Sequence, residues 1–280
     1  MSNLTDPATV SAAALMALES QAMQPRGMRA LAERPGTVSI RKRGRGQEIR
    51  EIRLFADGDD PRHLDAAATA RTGTLQTRTF QEDREQTVIL IADFRRPMLW
   101  GTRGRFRSVA AAEALALIGW QIVLEGGAVG VVALTDDGVF VERPRTRHRG
   151  MALVAGCLER AHAAALRSTA PTTALSPALL RAAPLAPRGA RIALATGLDD
   201  LGDGWDAALA ALTARGKLHL ILTEDRFESA PPPQALSYAT PAGRARAHFS
   251  GLADQRSARA DVLLRPGVTV ERLPTDQGLR

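Results

Sequence analysis

The chain has 280 residues, 45% of them hydrophobic, with 37 basic against 30 acidic side chains and a formal net charge of +7. That length suffices to bury a core without staples, and the single cysteine, Cys157, excludes an intrachain disulfide and favours a reducing compartment. No apolar run reaches the ~20 residues of a membrane span, the start MSNLTDPATV lacks a signal-peptide pattern, and a soluble, cytoplasmic protein is expected.

In chain order, residues 1–36 read as a helical extension, with Val10, Ala14, Leu15, Leu18 and Ala22 on one face. Residues 37–86 mix β-branched residues, a basic loop and the turn-rich FADGDDPRHLD, and predict two short strands early in the segment. From 87 to 280 strands and helices alternate. TVILIADF, AVGVVAL, ARIALAT and KLHLILT are continuous apolar runs, as in strands buried on both faces. Ser108 is the expected N-cap of a helix over 109–124, which Gly126 and Gly127 close. Asp137-Gly138 signals a hairpin into GVFVE, and 151–167 is helical. Four prolines make 168–189 a long surface connection with room for one helical turn. A helix over 205–215, a weak strand near 245–250, a helix over 252–264 and the strand VTVERL follow. The alternation predicts an α/β fold: a mostly parallel sheet with helices on both faces, preceded by a small N-terminal helix and a β/loop segment.

Nucleotide and catalytic signatures are missing. There is no phosphate-binding G-x-x-x-x-G-K-[ST], no G-x-G-x-x-G after a strand, no G-x-S-x-G elbow and no H-E-x-x-H. The five histidines have no ligand spacing, and His219 inside an apolar strand reads as a satisfied sheet residue. Neither a metal nor a cofactor is expected.

The basic residues are almost all arginine, the side chain suited to bidentate recognition of carboxylate or phosphate. They cluster in 41–53, 95–107 and 143–149. The first cluster opens the most distinctive stretch. Arg43, Gly44, Arg45, Gly46 and Glu48 are followed by Gly58, Asp59, Asp60, Arg62, Leu64 and Asp65, then by Thr69, Ala70, Arg71, Thr72 and Gly73. Their order and spacing resemble the signature of the bacterial "domain of unknown function 58" family. Ala66 departs from that family's usual tryptophan. The alternating acids and arginines read as a structural ion-pair network, as a partner-binding surface or as a catalytic set.

The resemblance implies a von Willebrand A-like, Rossmann-type domain, whose metal site uses D-x-S-x-S at the end of the first buried strand. Asp93 keeps the aspartate, but Arg95 and Pro97 replace the serines. Arginine has no acceptor and proline no ligand. The later metal-site position falls at Thr196 or Gly197, with Asp199 shortly after. A degenerate centre without Mg²⁺ is expected, with a guanidinium in place of the cation and Asp93 as counter-ion. Loops after strand ends share one edge. Arg95, Arg96, Arg103 and Arg105 lie in one such loop, and the resembled fold implies that the loop before Met151 brings Arg145, Arg147 and Arg149 to the same edge, which would present positive charge to a carboxylate or phosphate.

By the same resemblance the chain is expected to be a non-enzymatic adaptor that links a MoxR-type AAA+ ATPase to a client protein. The alternative is a nucleic-acid or polyanion binder, favoured by the arginine clusters and a pI near 10.9 and opposed by an aromatic content of 4%. A hydrolase using Asp93 and the Asp199–Asp200 pair is the third reading.

Overall fold

The structure is a computed structural model that describes residues 6–23, 49–56, 59–80, 86–240, 243–261 and 266–276. Arg43, Gly44, Arg45, Gly46, Glu48 and Gly58 lie outside the described residues. The chain forms two compact units, 33–85 and 1–32 together with 86–280.

The larger unit begins with α1 (Ala12–Ala17) and α2 (Glu19–Ala22). The smaller follows, with β1 (Ile49–Leu54), a 3₁₀ turn (Pro61–His63), α3 (Ala66–Thr72) and β2 (Gln76–Phe80). The larger resumes with β3 (Thr87–Asp93), α4 (Arg107–Leu124), β4 (Ala128–Thr135), β5 (Gly138–Thr146), α5 (Arg147–Arg167) and α6 (Leu175–Ala182). Then come β6 (Arg191–Thr196), α7 (Trp205–Thr213), β7 (Leu218–Glu224) and α8 (Arg226–Ser229). A ribbon of β8 (Leu236–Thr240) and β9 (Gly243–Ala247), then α9 (Leu252–Asp261) and β10 (Val268–Pro274), complete it.

Six strands form one sheet in the order β10-β7-β6-β3-β4-β5, parallel except for β5, which pairs antiparallel with β4. The two-residue period of a strand sends neighbours to opposite faces. Val88, Leu90 and Ala92 of β3 therefore join the core under α4 and α5, while Ile89 and Ile91 join the core under α6 and α7. This is why the runs lack alternation in sequence: both faces are dry.

Helix α4 is long and apolar enough in composition to cross a membrane, yet 83% of it is buried inside the protein. Small residues let it lie close to its neighbours: a Cβ added at Gly119 would meet the Met151 sulfur at 2.7 Å. The N-terminal helix packs on this layer. Leu15 is buried, its carbonyl accepts the Trp120 indole N–H at 3.0 Å, and the Ala12 N–H donates to Glu159 at 3.0 Å. Burying a leucine contributes about 1.5–3 kcal/mol.

Two local expectations need correction. Residues 168–189 are not simply a surface connection, because Leu175, Ala178, Leu179 and Ala182 are buried on one face of α6. Their 3.6-residue spacing outweighs the prolines, and Pro177 sits in the first turn, where no N–H is needed. Ser108 is not the N-cap of α4. The helix starts at Arg107 behind Phe106 without a side-chain cap, and the Ser108 hydroxyl instead meets His162 Nε2 at 2.8 Å.

His162 is buried, and burial lowers its pKa to about 4, the nearby Asp6 opposing this. A histidine held neutral when folded takes up protons more readily when unfolded, so stability rises with pH. Its contribution is complete above the ordinary value of 6.5 and is lost as pH falls towards 4, a loss of about 2–4 kcal/mol. Thermal melts should fall across that window. The His162→Gln variant should flatten this part of the profile; an unchanged slope would show that His162 does not carry it.

In the smaller unit the signature acids bond backbone N–H groups. Asp59 bonds the Ala56 N–H at 2.9 Å and pairs with Arg53 at 2.7 Å, Asp60 accepts from the Arg62 N–H at 3.0 Å, and Asp65 caps α3 through the Ala68 N–H at 2.9 Å. Thr69 Oγ1 receives the Gln76 N–H at 2.9 Å. Gly73, at φ 69°, closes α3 in the left-handed region. Ala70, Arg71 and Thr72 form its last turn. Arg62 and Arg71 are exposed and make no ion pair among the described residues, while Asp59, Asp60 and Asp65 each cap a turn or helix and Asp59 also holds a guanidinium.

Candidate functional site at the carboxyl edge of the sheet

Every parallel strand ends at one edge, and β3 delivers Asp93 and Arg95 there. Both side chains are completely buried. Arg95 clasps Asp93 through two bonds, Nε to Oδ1 and Nη2 to Oδ2, each 2.9 Å. Thr196, at the end of β6, donates its hydroxyl to Asp93 Oδ2 at 2.7 Å. The remaining guanidinium hydrogens reach the carbonyls of Thr173 at 2.6 Å, Asp199 at 3.0 Å and Asp200 at 3.4 Å. Leu198 and Asp200 adopt φ of 56° and 47° to shape this loop. Left-handed non-glycine residues cost on the order of 1–3 kcal/mol each, and here they aim carbonyl oxygens at a buried cation.

A second cation lies beside the first. Arg107 is fully buried at the start of α4. It donates to Asp199 at 2.7 Å, to the Pro97 and Thr223 carbonyls at 3.2 Å each, lies 3.4 Å from Glu228, and faces the Trp100 ring at 5.4 Å. Gly197 makes room for it. Arg256 bonds the Gly197 carbonyl at 2.6 Å and pairs with Asp199 and Glu228. Burial raises the Glu228 pKa, with Arg107 and Arg256 opposing.

Two more carboxylates pin the surrounding loops. Asp225 accepts from the Thr102 N–H at 2.7 Å, the Thr102 hydroxyl and the Phe227 N–H at 2.8 Å. Burial works to raise its pKa, but these bonds outweigh it and the net shift is downward. Asp136 holds the Arg96 N–H at 2.8 Å and the Thr173 N–H at 2.9 Å. A pocket of about 110 Å³ opens beside Glu228, but its charges are matched internally, Arg272 with Glu224 at 3.3 Å and Arg256 with Glu228.

The expected convergence holds only in part. Asp93, Arg95, Arg96, Pro97, Thr196, Gly197 and Asp199 do come together. Arg103 is exposed in the adjoining loop, and Arg105 pairs with Glu113 at 2.9 Å. Arg145, Arg147 and Arg149 do not belong to this edge. The antiparallel β5 carries the chain back, so Arg145 pairs with Val129, and Val129 with Val88 at the start of β3. Five residues of strand, about 16 Å, separate that level from Asp93. A second correction concerns Arg95, whose guanidinium faces inward and presents no charge to a partner.

Residues missed in sequence carry much of this network: Arg107, Arg256, Glu228, Asp225 and Asp136. One signal was readable. Asp225 and Glu228 have capping-box spacing, and both capping bonds form. An arginine opening an apolar helix has no such signature.

Fold and site together define a mixed α/β protein with a six-stranded, mostly parallel sheet and a carboxyl edge closed by buried guanidinium–carboxylate pairs. Over residues 51–239 the chain matches the family described as "Protein of unknown function DUF58", and it belongs to that family. It is 35% identical over 107 residues to an uncharacterized protein of Mycobacterium tuberculosis (strain H37Rv) and to one of Mycobacterium bovis. The match covers 37% of this chain and 32% of each relative, about a third of their length. No solved structure matches the chain.

Proposed function

We propose that this protein is a non-enzymatic adaptor of von Willebrand A-like architecture that joins a MoxR-type AAA+ ATPase to a client protein. The observation that carries the reading is Arg95 buried on Asp93. The strand-end aspartate of such a domain would hold a hard cation through oxygen ligands. Here both Asp93 oxygens are engaged by Arg95, with Thr196 on Oδ2 as well. Arg95 and Pro97 supply no oxygen ligand from their side chains, so these residues do not fit Mg²⁺. With its carboxylates held by guanidinium or backbone N–H, this edge is suited to binding rather than to proton transfer. The choice of an AAA+ partner rests on the family resemblance.

Tagged protein purified from its host with nuclease present should retain a MoxR-type ATPase identifiable by mass spectrometry. Its absence from repeated preparations would overturn the adaptor reading. The Arg95→Ser, Pro97→Ser double variant frees Asp93 and adds two hydroxyls, so calorimetry should detect Mg²⁺ binding that the parent lacks. No heat in the folded variant would count against a von Willebrand-type centre.

A further inference from the structure

The opposite edge of the sheet, where the parallel strands begin, carries a different charge pattern. Arg143 and Arg145 of β5 are exposed, as are Arg147 and Arg149 where α5 begins, and none of the four pairs with an acid among the described residues. Arg188 is exposed in the turn before β6, and Arg191 stands half-buried at its start. The described acids here are Glu125, exposed after α4, Glu142 of β5, paired with Arg160 at 3.2 Å, and Glu19, held by His148 at 2.6 Å. Glu82, Asp83 and Glu85 precede β3 in sequence, outside the described residues. From β6 to β5 the edge crosses three strand spacings, about 14 Å. The first turn of α5 contains no acid, so its amide dipole adds to the field.

We infer that this amino edge binds the phosphate backbone of a nucleic acid without regard to sequence. A row of separated guanidinium groups suits a linear polyanion better than a point carboxylate. A duplex offers one charge per ~1.7 Å, or about eight along this edge. Protein interfaces bury an apolar centre rich in Phe, Tyr and Trp, and none of these lies among the residues of this stripe. Guanidinium contacts to phosphate position a duplex without reading its bases. The inference does not depend on the adaptor reading, which concerns other contacts.

The test is fluorescence anisotropy of the full chain with two labelled 20-base-pair duplexes of unrelated sequence. Both should bind at 50 mM salt with affinities within about threefold. Four to six phosphate contacts predict a fall of about 10²–10³-fold between 50 and 200 mM salt. The Arg145→Glu, Arg147→Glu, Arg149→Glu triple variant should lose about 100-fold or more while keeping its melting temperature. Arg103→Glu, at the other edge, should bind like the parent. No binding at 50 mM salt, or a folded triple variant of unchanged affinity, would overturn the inference. So would displacement of the duplex by poly-glutamate of equal total charge, which would mark an acidic protein as the occupant.

Discussion

Replacing Arg95 by leucine is expected to destabilise the protein by about 3–5 kcal/mol, the range for stranding one member of a buried ion pair. Asp93 is completely buried, and Arg95 supplies both of its charged hydrogen bonds. Without the guanidinium, the carboxylate keeps only the Thr196 hydroxyl and the Arg95 position's backbone N–H, at 3.1 Å. The Thr173 and Asp199 carbonyls lose their donors as well. Adding Asp93→Asn to the leucine variant should restore a large share of the loss, because no charge is then stranded. Urea denaturation of the parent, both single variants and the double variant measures this. A loss below about 1 kcal/mol for Arg95→Leu would show that water reaches Asp93.

The Gly197→Ala substitution should do comparable damage with a single methyl group. Its Cβ would lie 1.2 Å from Arg107 Nη2 and 2.3 Å from the guanidinium carbon. Arg107 cannot withdraw without giving up Asp199 and the Thr223 carbonyl and leaving Glu228 with less compensation. The expected loss is again about 3–5 kcal/mol. A double-mutant cycle isolates the cause. In an Arg107→Met background, where the guanidinium is gone, Gly197→Ala should cost about 1–3 kcal/mol less, which is the coupling energy between the two sites. Additive losses would place the damage in the backbone of the loop instead.

The buried strands were legible because their composition states their burial: TVILIADF and AVGVVAL admit few other readings. The core role of α6 was legible too, in the spacing of Leu175, Ala178, Leu179 and Ala182, but four prolines masked it. The hairpin turn at Asp137-Gly138 was readable, yet its geometric consequence was missed. An antiparallel return moves 143–149 to the far edge, away from where the resembled fold was expected to bring them. Within the site, Asp93, Arg95 and Thr196 could be anticipated because the family resemblance implies a motif at these strand ends. Arg107, Arg256 and Glu228 could not. Their meeting depends on the tilt of α4 and on a crossover of more than forty residues between β7 and β10, and no local pattern encodes either.

The positive charge on Asp93 is bonded to the chain through the Arg95 side chain. A chelator cannot strip it, dilution cannot dissociate it, and no competing ion can replace it. Proteins whose strand-end aspartate waits for a divalent ion tie their state to ion supply. In this protein the loop carbonyls of Thr173, Asp199 and Asp200 are gathered as soon as the polypeptide folds, and they stay gathered whatever ions surround it.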